Sequence, residues 1–216
     1  MIVLMSAFLL LSAFSCGGGN KANSTSEQSE ETAVNVPQFD ADSAYLYVKN
    51  QVDFGPRVPN TKEHVACGNY LAGQLEAFGA QVTNQYADLI AYDGTLLKAR
   101  NIIGSYKPES KKRIALFAHW DTRPWADNDP DEKNHNTPIL GANDGASGVG
   151  ALLEIARLVN QQQPELGIDI ILLDAEDYGA PQFYTGQHKE EFWCLGSQYW
   201  ARNPHVQGYN PRFGIL

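Results

Sequence analysis

Three short clusters hold the residues with the most chemical potential: His119-Trp120-Asp121-Thr122, Gly141-Ala142-Asn143-Asp144-Gly145-Ala146-Ser147-Gly148 and Asp174-Ala175-Glu176-Asp177. Imidazole and carboxylate are ligands for zinc and other divalent ions. A carboxylate left outside the ligand set can carry protons as a general acid or base. Taken singly, each cluster has an ordinary reading. A His-x-Asp pair arises by chance. Asn-Asp-Gly is a turn signal, and Asp144 could simply cap a helix. Glu176 and Asp177 could be a solvated loop. Placement is what joins them.

Two apolar runs, 113–118 and 168–173, have the length and composition of buried strands, and each leads directly into one of the clusters. The third cluster opens a strong helix over 147–163. Val149, Leu152, Leu153, Ile155, Ala156 and Val159 give it a wide apolar face, and Pro164 stops it. Upstream, 39–51 reads as a first helix. The segment 61–78 reads as a second, capped by Asn60 or Thr61 and ended by Gly79. Strands are expected over 81–88 and 96–103, and 210–216 resembles the opening of another buried strand. Strand–helix–strand order implies parallel pairing with right-handed crossovers. The expected class is α/β: a mixed, mostly parallel sheet with helices on both faces. In such sheets ligands bind beyond the carboxyl ends of the strands, which is where the clusters fall.

The 216 residues carry a net charge of −9 and are 43% hydrophobic, enough for a real core. That acidity argues against nucleic acid as a partner, since phosphate recognition needs a basic face. The uncharged apolar run 1–15 is too short to cross a bilayer and reads as an export signal. With Ser15 before Cys16 it resembles the lipobox of bacterial lipoproteins, although no basic residue precedes it and the first is Lys21. Segment 16–38, rich in Gly, Asn, Ser, Thr, Gln and Glu, is expected to be a flexible tether from a lipidated Cys16. The expected location is the periplasm or outer membrane of a bacterium, lipid-anchored. Cys67 and Cys194 either pair in that oxidising setting or serve as two separate thiols.

Together, His119-x-Asp121, Gly-Ala-Asn-Asp144-Gly-Ala-Ser-Gly and Asp-Ala-Glu176-Asp177 resemble the zinc-dependent aminopeptidases and their glutaminyl cyclase relatives. The string 118–128, Ala-His-Trp-Asp-Thr-Arg-Pro-Trp-Ala-Asp-Asn, and the long loop 180–192 resemble the bacterial glutaminyl-peptide cyclotransferases more closely. The resemblance implies that Asp144 and Asp177 are zinc ligands, with Asp177 standing where many relatives have Glu. It implies that Glu176 is the general acid/base. His119 ligates a second zinc in two-zinc members and hydrogen-bonds nearby in one-zinc cyclases, while Asp121 orients that imidazole. The family's remaining carboxylate and histidine ligands would fall after Leu216, so 39–216 is expected to be the N-terminal portion of one catalytic domain.

The implied reaction is cyclisation of N-terminal glutamine to pyroglutamate with release of ammonia, using one zinc. The alternative is a two-zinc aminopeptidase in which Glu176 activates water. A third reading is a non-catalytic envelope lipoprotein with a decayed site. Peptide or protein N-termini are the expected substrates. Trp120, Trp125 and Trp193, next to the motifs, are candidate walls of a substrate pocket.

Overall fold

The computed structural model describes residues 35–216. The expected export signal over 1–15, Cys16 and most of the 16–38 tether lie outside the described residues.

The chain runs α1 (Ala41–Asp53), α2 (Lys62–Ala77), β1 (Gln81–Ile90), β2 (Leu96–Tyr106), β3 (Arg113–His119), α3 (Ala146–Gln161), β4 (Gly167–Leu173), α4 (Leu195–Arg202) and β5 (Phe213–Ile215). Local signals set most boundaries. Asp40 caps α1 by accepting from the amides of Asp42 and Ser43. Thr61 caps α2 by accepting from the His64 amide. Gly79, with φ +78, turns the chain after α2. β1 and β2 each run longer than the sequence reading because they pair along their full length, from Gln81↔Ser105 to Ile90↔Leu96.

The strand order is β1-β2-β4-β3-β5. β1/β2 and β2/β4 are antiparallel, while β3/β4 and β3/β5 are parallel. All strands except β2 therefore point the same way, and the sheet is mixed with a mostly parallel sense. β5 pairs with β3 as a strand, but Phe213 and Ile215 are exposed, not buried.

Alternation along the central strands divides the core. Leu116, Ala118, Ile168, Ile170 and Leu172 face α2 and α3, where Leu71, Leu75, Val149, Leu153 and Ala156 meet them. Ala115, Ile171 and Leu173 face the other way, toward Trp200 of α4 and Tyr209. Each fully buried aliphatic side chain contributes about 1.5–3 kcal/mol of transfer free energy. β4 is buried along its whole length, as befits the middle of a sheet covered on both faces.

Candidate active site

Parallel pairing sets His119 opposite Leu173, so β3 and β4 end level with each other. Their continuations, 119–121 and 174–177, leave the sheet side by side. The Trp120 amide still donates to the Leu173 carbonyl at 3.0 Å. Beyond Asp174 the chain bends through Ala175, whose φ of +50 is unusual for a residue with a Cβ. Amides at the start of α4 fix the bend: Leu195 donates to the Ala175 carbonyl at 3.0 Å and Gly196 to that of Asp174 at 3.1 Å. Gly196 is required there, since a Cβ would stand 2.1 Å from the Asp174 oxygen.

Asp144 does not cap α3. The cap position is Gly145, without a side-chain hydrogen bond, at φ +86. A Cβ on Gly145 would meet the Asp121 carbonyl at 3.0 Å and the His119 ring at 3.1 Å, so glycine lets Asp144 approach the imidazole. Asp144 Oδ1 lies 3.0 Å from His119 Nε2. On the other side of the ring, Nδ1 is 3.5 Å from Asp121 Oδ1 and 3.8 Å from Glu176 Oε2. Burial pulls the imidazole toward neutrality, but Asp121, Glu176 and Asp144 outweigh it and raise its pKa to about 9.

Asp121 is fully buried and does more than face His119. Its two carboxylate oxygens accept the amides of Glu176 and Asp177, at 3.1 and 3.2 Å. One side chain thus ties the first cluster to the third. Asp177 is also buried, and its Oδ2 has no hydrogen-bond partner. Burial, followed by the charges of Asp121, Asp144 and Glu176, lifts its pKa to about 7. Buried, crowded carboxylates with an oxygen left unsatisfied make a place for a cation. Oxygen and imidazole donors suit zinc, so the residues present fit part of a zinc site. Among the described residues, no three such side chains close around one point. Glu176 and Asp144 open, with His119 and Cys194, into a cavity of about 320 Å³.

Several supporting residues, Asp174 of the third cluster among them, carry no assigned role in the sequence reading. Buried Asp174 accepts from His64 Nε2 at 2.9 Å and from the amides of Arg100 and Ala175 at 2.6 and 2.7 Å. Buried Arg57 donates to the carbonyls of Trp120, Leu140 and Gly141, bolting the first cluster to the second. Arg123 pairs with Asp127 at 2.7 Å, donates to the Asp177 carbonyl at 3.1 Å, and lies 4.7 Å over the Trp193 ring. Only the strand-end pattern pointed toward this region, and none of these long-range bonds is visible in it.

The tryptophans separate. Trp120 corrects the pocket-wall expectation. It is fully buried, stacked on His64 at 4.3 Å, with its indole N–H donating to the Arg100 carbonyl. Strand alternation sends its side chain opposite to His119 and Asp121, into the core. Trp125 borders a neighbouring cleft shared with Asp144, edge-on to Tyr92 and Tyr178. Trp193 lies against Gly179, where a Cβ would clash at 2.2 Å. Neither lines the cavity that receives Glu176. Both described cysteines are free: Cys67 is in the core, and Cys194 is next to Glu176.

Acidic and imidazole side chains thus gather at the carboxyl edge of the sheet, beside a further, part-exposed carboxylate. The family model for peptidase family M28 matches residues 101–215, and the chain belongs to that family. A solved glutaminyl cyclase of Bacteroides thetaiotaomicron, bound to N-acetylhistamine, is 94% identical with a TM-score of 0.84, covering 84% of this chain and 62% of its own. A leucine aminopeptidase precursor from the same organism matches at 94% and 0.84, covering 84% and 63%. A Zn-dependent exopeptidase of Parabacteroides distasonis is 63% identical at 0.82, covering 84% and 62%. Among curated relatives, an uncharacterized Escherichia coli protein, YfbL, is 35% identical over 115 residues, 53% of this chain and 32% of that protein. The chain therefore spans under two thirds of these relatives. The family implies zinc as the metal.

Proposed function

We propose that the protein is a zinc-dependent glutaminyl-peptide cyclotransferase, closing N-terminal glutamine of peptides or proteins to pyroglutamate and releasing ammonia. The observation that carries this reading is the part-exposed Glu176 carboxylate opening with Asp144 and His119 into one cavity. It is supported by 94% identity to a glutaminyl cyclase.

In this reaction the substrate's α-amine attacks its own side-chain amide carbon. A C–N bond forms, the bond to the amide nitrogen breaks, and that nitrogen leaves as ammonia. Glu176 takes the proton the amine loses and returns it to the departing nitrogen. Asp144 and Asp177, with further protein ligands, would hold a zinc ion, which would supply Lewis acidity toward the amide oxygen. His119 restrains Asp144 by hydrogen bonding, and Asp121 holds the 176–177 backbone in register. Trp125, beside Asp144, is the tryptophan best placed to border the substrate.

The aminopeptidase reading is favoured by one observation, the direct contact of His119 with Asp144, which suits two side chains sharing a second zinc. The full-length protein separates the readings. Ammonia released from a glutamine-initiated peptide without shortening, with one zinc per chain, supports the cyclase. Free amino acid with two zincs per chain supports the peptidase. Zinc without either product supports a non-catalytic binding protein.

The reading extends to location. An acyl anchor on Cys16 with the 16–38 tether would hold the catalytic domain at the bacterial envelope, facing exported N-termini. Labelled palmitate incorporated by the wild type and lost in Cys16→Ala tests this. Incorporation that survives the substitution refutes it.

A further inference from the structure

α4 begins with a costly choice. Cys194, in its cap position, has φ +54 and makes no side-chain cap hydrogen bond. The left-handed region is disfavoured for any residue with a Cβ, and capping positions normally hold Ser, Thr, Asp, Asn or Gly. The thiol turns away from the helix instead. Sγ donates to Glu176 Oε1 at 3.2 Å, and the amide of the same residue donates to the Glu176 carbonyl at 2.9 Å. Cys194 therefore holds Glu176 by both its side chain and its backbone. Glu176 Oε2, the oxygen not engaged by sulfur, lies 3.8 Å from His119 Nδ1. Both residues border the cavity shared with Asp144.

We propose that Cys194 is a positioning residue for Glu176: its thiol holds Oε1 and leaves Oε2 as the oxygen that exchanges protons with the substrate. This rests on the cyclase reading. A thiol suits the task because it is a weak donor. It fixes the rotamer while drawing little electron density from the carboxylate. The strained backbone is what aims it, since strain of this kind persists where the surrounding structure holds it in place.

The test compares Cys194→Ser, Cys194→Ala and Cys194→Gly in the full-length zinc-loaded protein. Cys194→Ala is expected to lower kcat about tenfold, with KM and zinc content unchanged, because a mispositioned reacting group loses rate and not binding. Cys194→Ser, which keeps a donor, should return kcat to within about threefold of wild type on the same argument. Cys194→Gly relieves the positive φ, so it should melt no lower than wild type yet be as slow as the alanine variant. Wild-type kcat in the alanine variant, or equal losses in serine and alanine, would overturn the proposal.

Infrared spectroscopy gives a readout independent of turnover. A thiol donating to a carboxylate shows a lowered S–H stretch. That band should be present in wild type, absent from Cys194→Ala and moved upward in Glu176→Gln. An unshifted band that ignores Glu176→Gln would also overturn the proposal. Failure of the wild type to release ammonia would overturn the cyclase reading alone, and the infrared comparison would still decide the Cys194 contact.

Discussion

Replacing Asp121 with Asn tests whether one buried carboxylate sets the whole site. In the wild type its two oxygens receive the amides of Glu176 and Asp177 at 3.1 and 3.2 Å. Hydrogen bonds to a charged acceptor contribute about 1.5–3 kcal/mol each. Asn keeps one carbonyl oxygen but turns an NH2 toward the second amide, so one bond is lost and two donors oppose each other. A total loss of about 2.5–6 kcal/mol follows, since a buried donor left unmet costs about 1–3 kcal/mol more. Part of this appears as stability. About 2 kcal/mol lowers Tm by roughly 4–8 °C in a domain of this size. The rest appears at the ligands. Loss of a partner that orients a metal ligand typically weakens binding about 10–100-fold. Calorimetric melting and competitive zinc titration of full-length Asp121→Asn measure the two shares, with kcat as a third reading. An unchanged Tm together with zinc affinity within about twofold of wild type would show that the grip on the 176–177 backbone is idle.

Other expectations follow from the same geometry. Glu176→Gln should abolish turnover while elemental analysis finds wild-type zinc; retained turnover would remove Glu176 from the reaction. Asp144→Ala should lose zinc, and unchanged metal content would reject it as a ligand. Gly145→Ala places a Cβ 3.0 Å from the Asp121 carbonyl at φ +86 and should destabilise by about 1–3 kcal/mol in denaturant unfolding. Asp169 gives a pH signature. Burial pushes its pKa up, but hydrogen bonds from Arg113, Ser105 and Tyr209 prevail and hold it below the usual carboxylate range. A depressed folded-state value gives stability that is present above the unfolded pKa, about 4, and is lost as pH falls through the folded one. The Tm gap between wild type and Asp169→Asn should therefore narrow below about pH 4, and a gap that stays constant would contradict the assignment.

Apolar periodicity made α2, α3, β3 and β4 legible from sequence, because each buries a face whose spacing is local. That β3 and β4 present their carboxyl ends at the same edge was also readable, since a strand–helix–strand connection implies parallel strands. The insertion of β2 between β1 and β4 was not, because nothing in a strand's own residues names its second neighbour. Trp120 was misjudged through its motif. Extending the two-residue alternation of β3 by one position would have sent it inward. The grip of Asp121 on residues 176 and 177 joins positions 55 and 56 apart in the chain, and Cys194 reaches Glu176 from the cap position of α4, which no periodicity marks. Sequence spacing carries no trace of contacts made only after the sheet has formed.

The register of His119 against Leu173 has a consequence for biogenesis. The segments that carry the three clusters come together only when β3 and β4 zip side by side with α3 packed across them, a closure over a long stretch of chain that is slow relative to local helix formation. A partly assembled polypeptide has no preformed cradle for the ion. On the proposed ligand assignment, metal capture would be a late event, locking an already built scaffold and not seeding it.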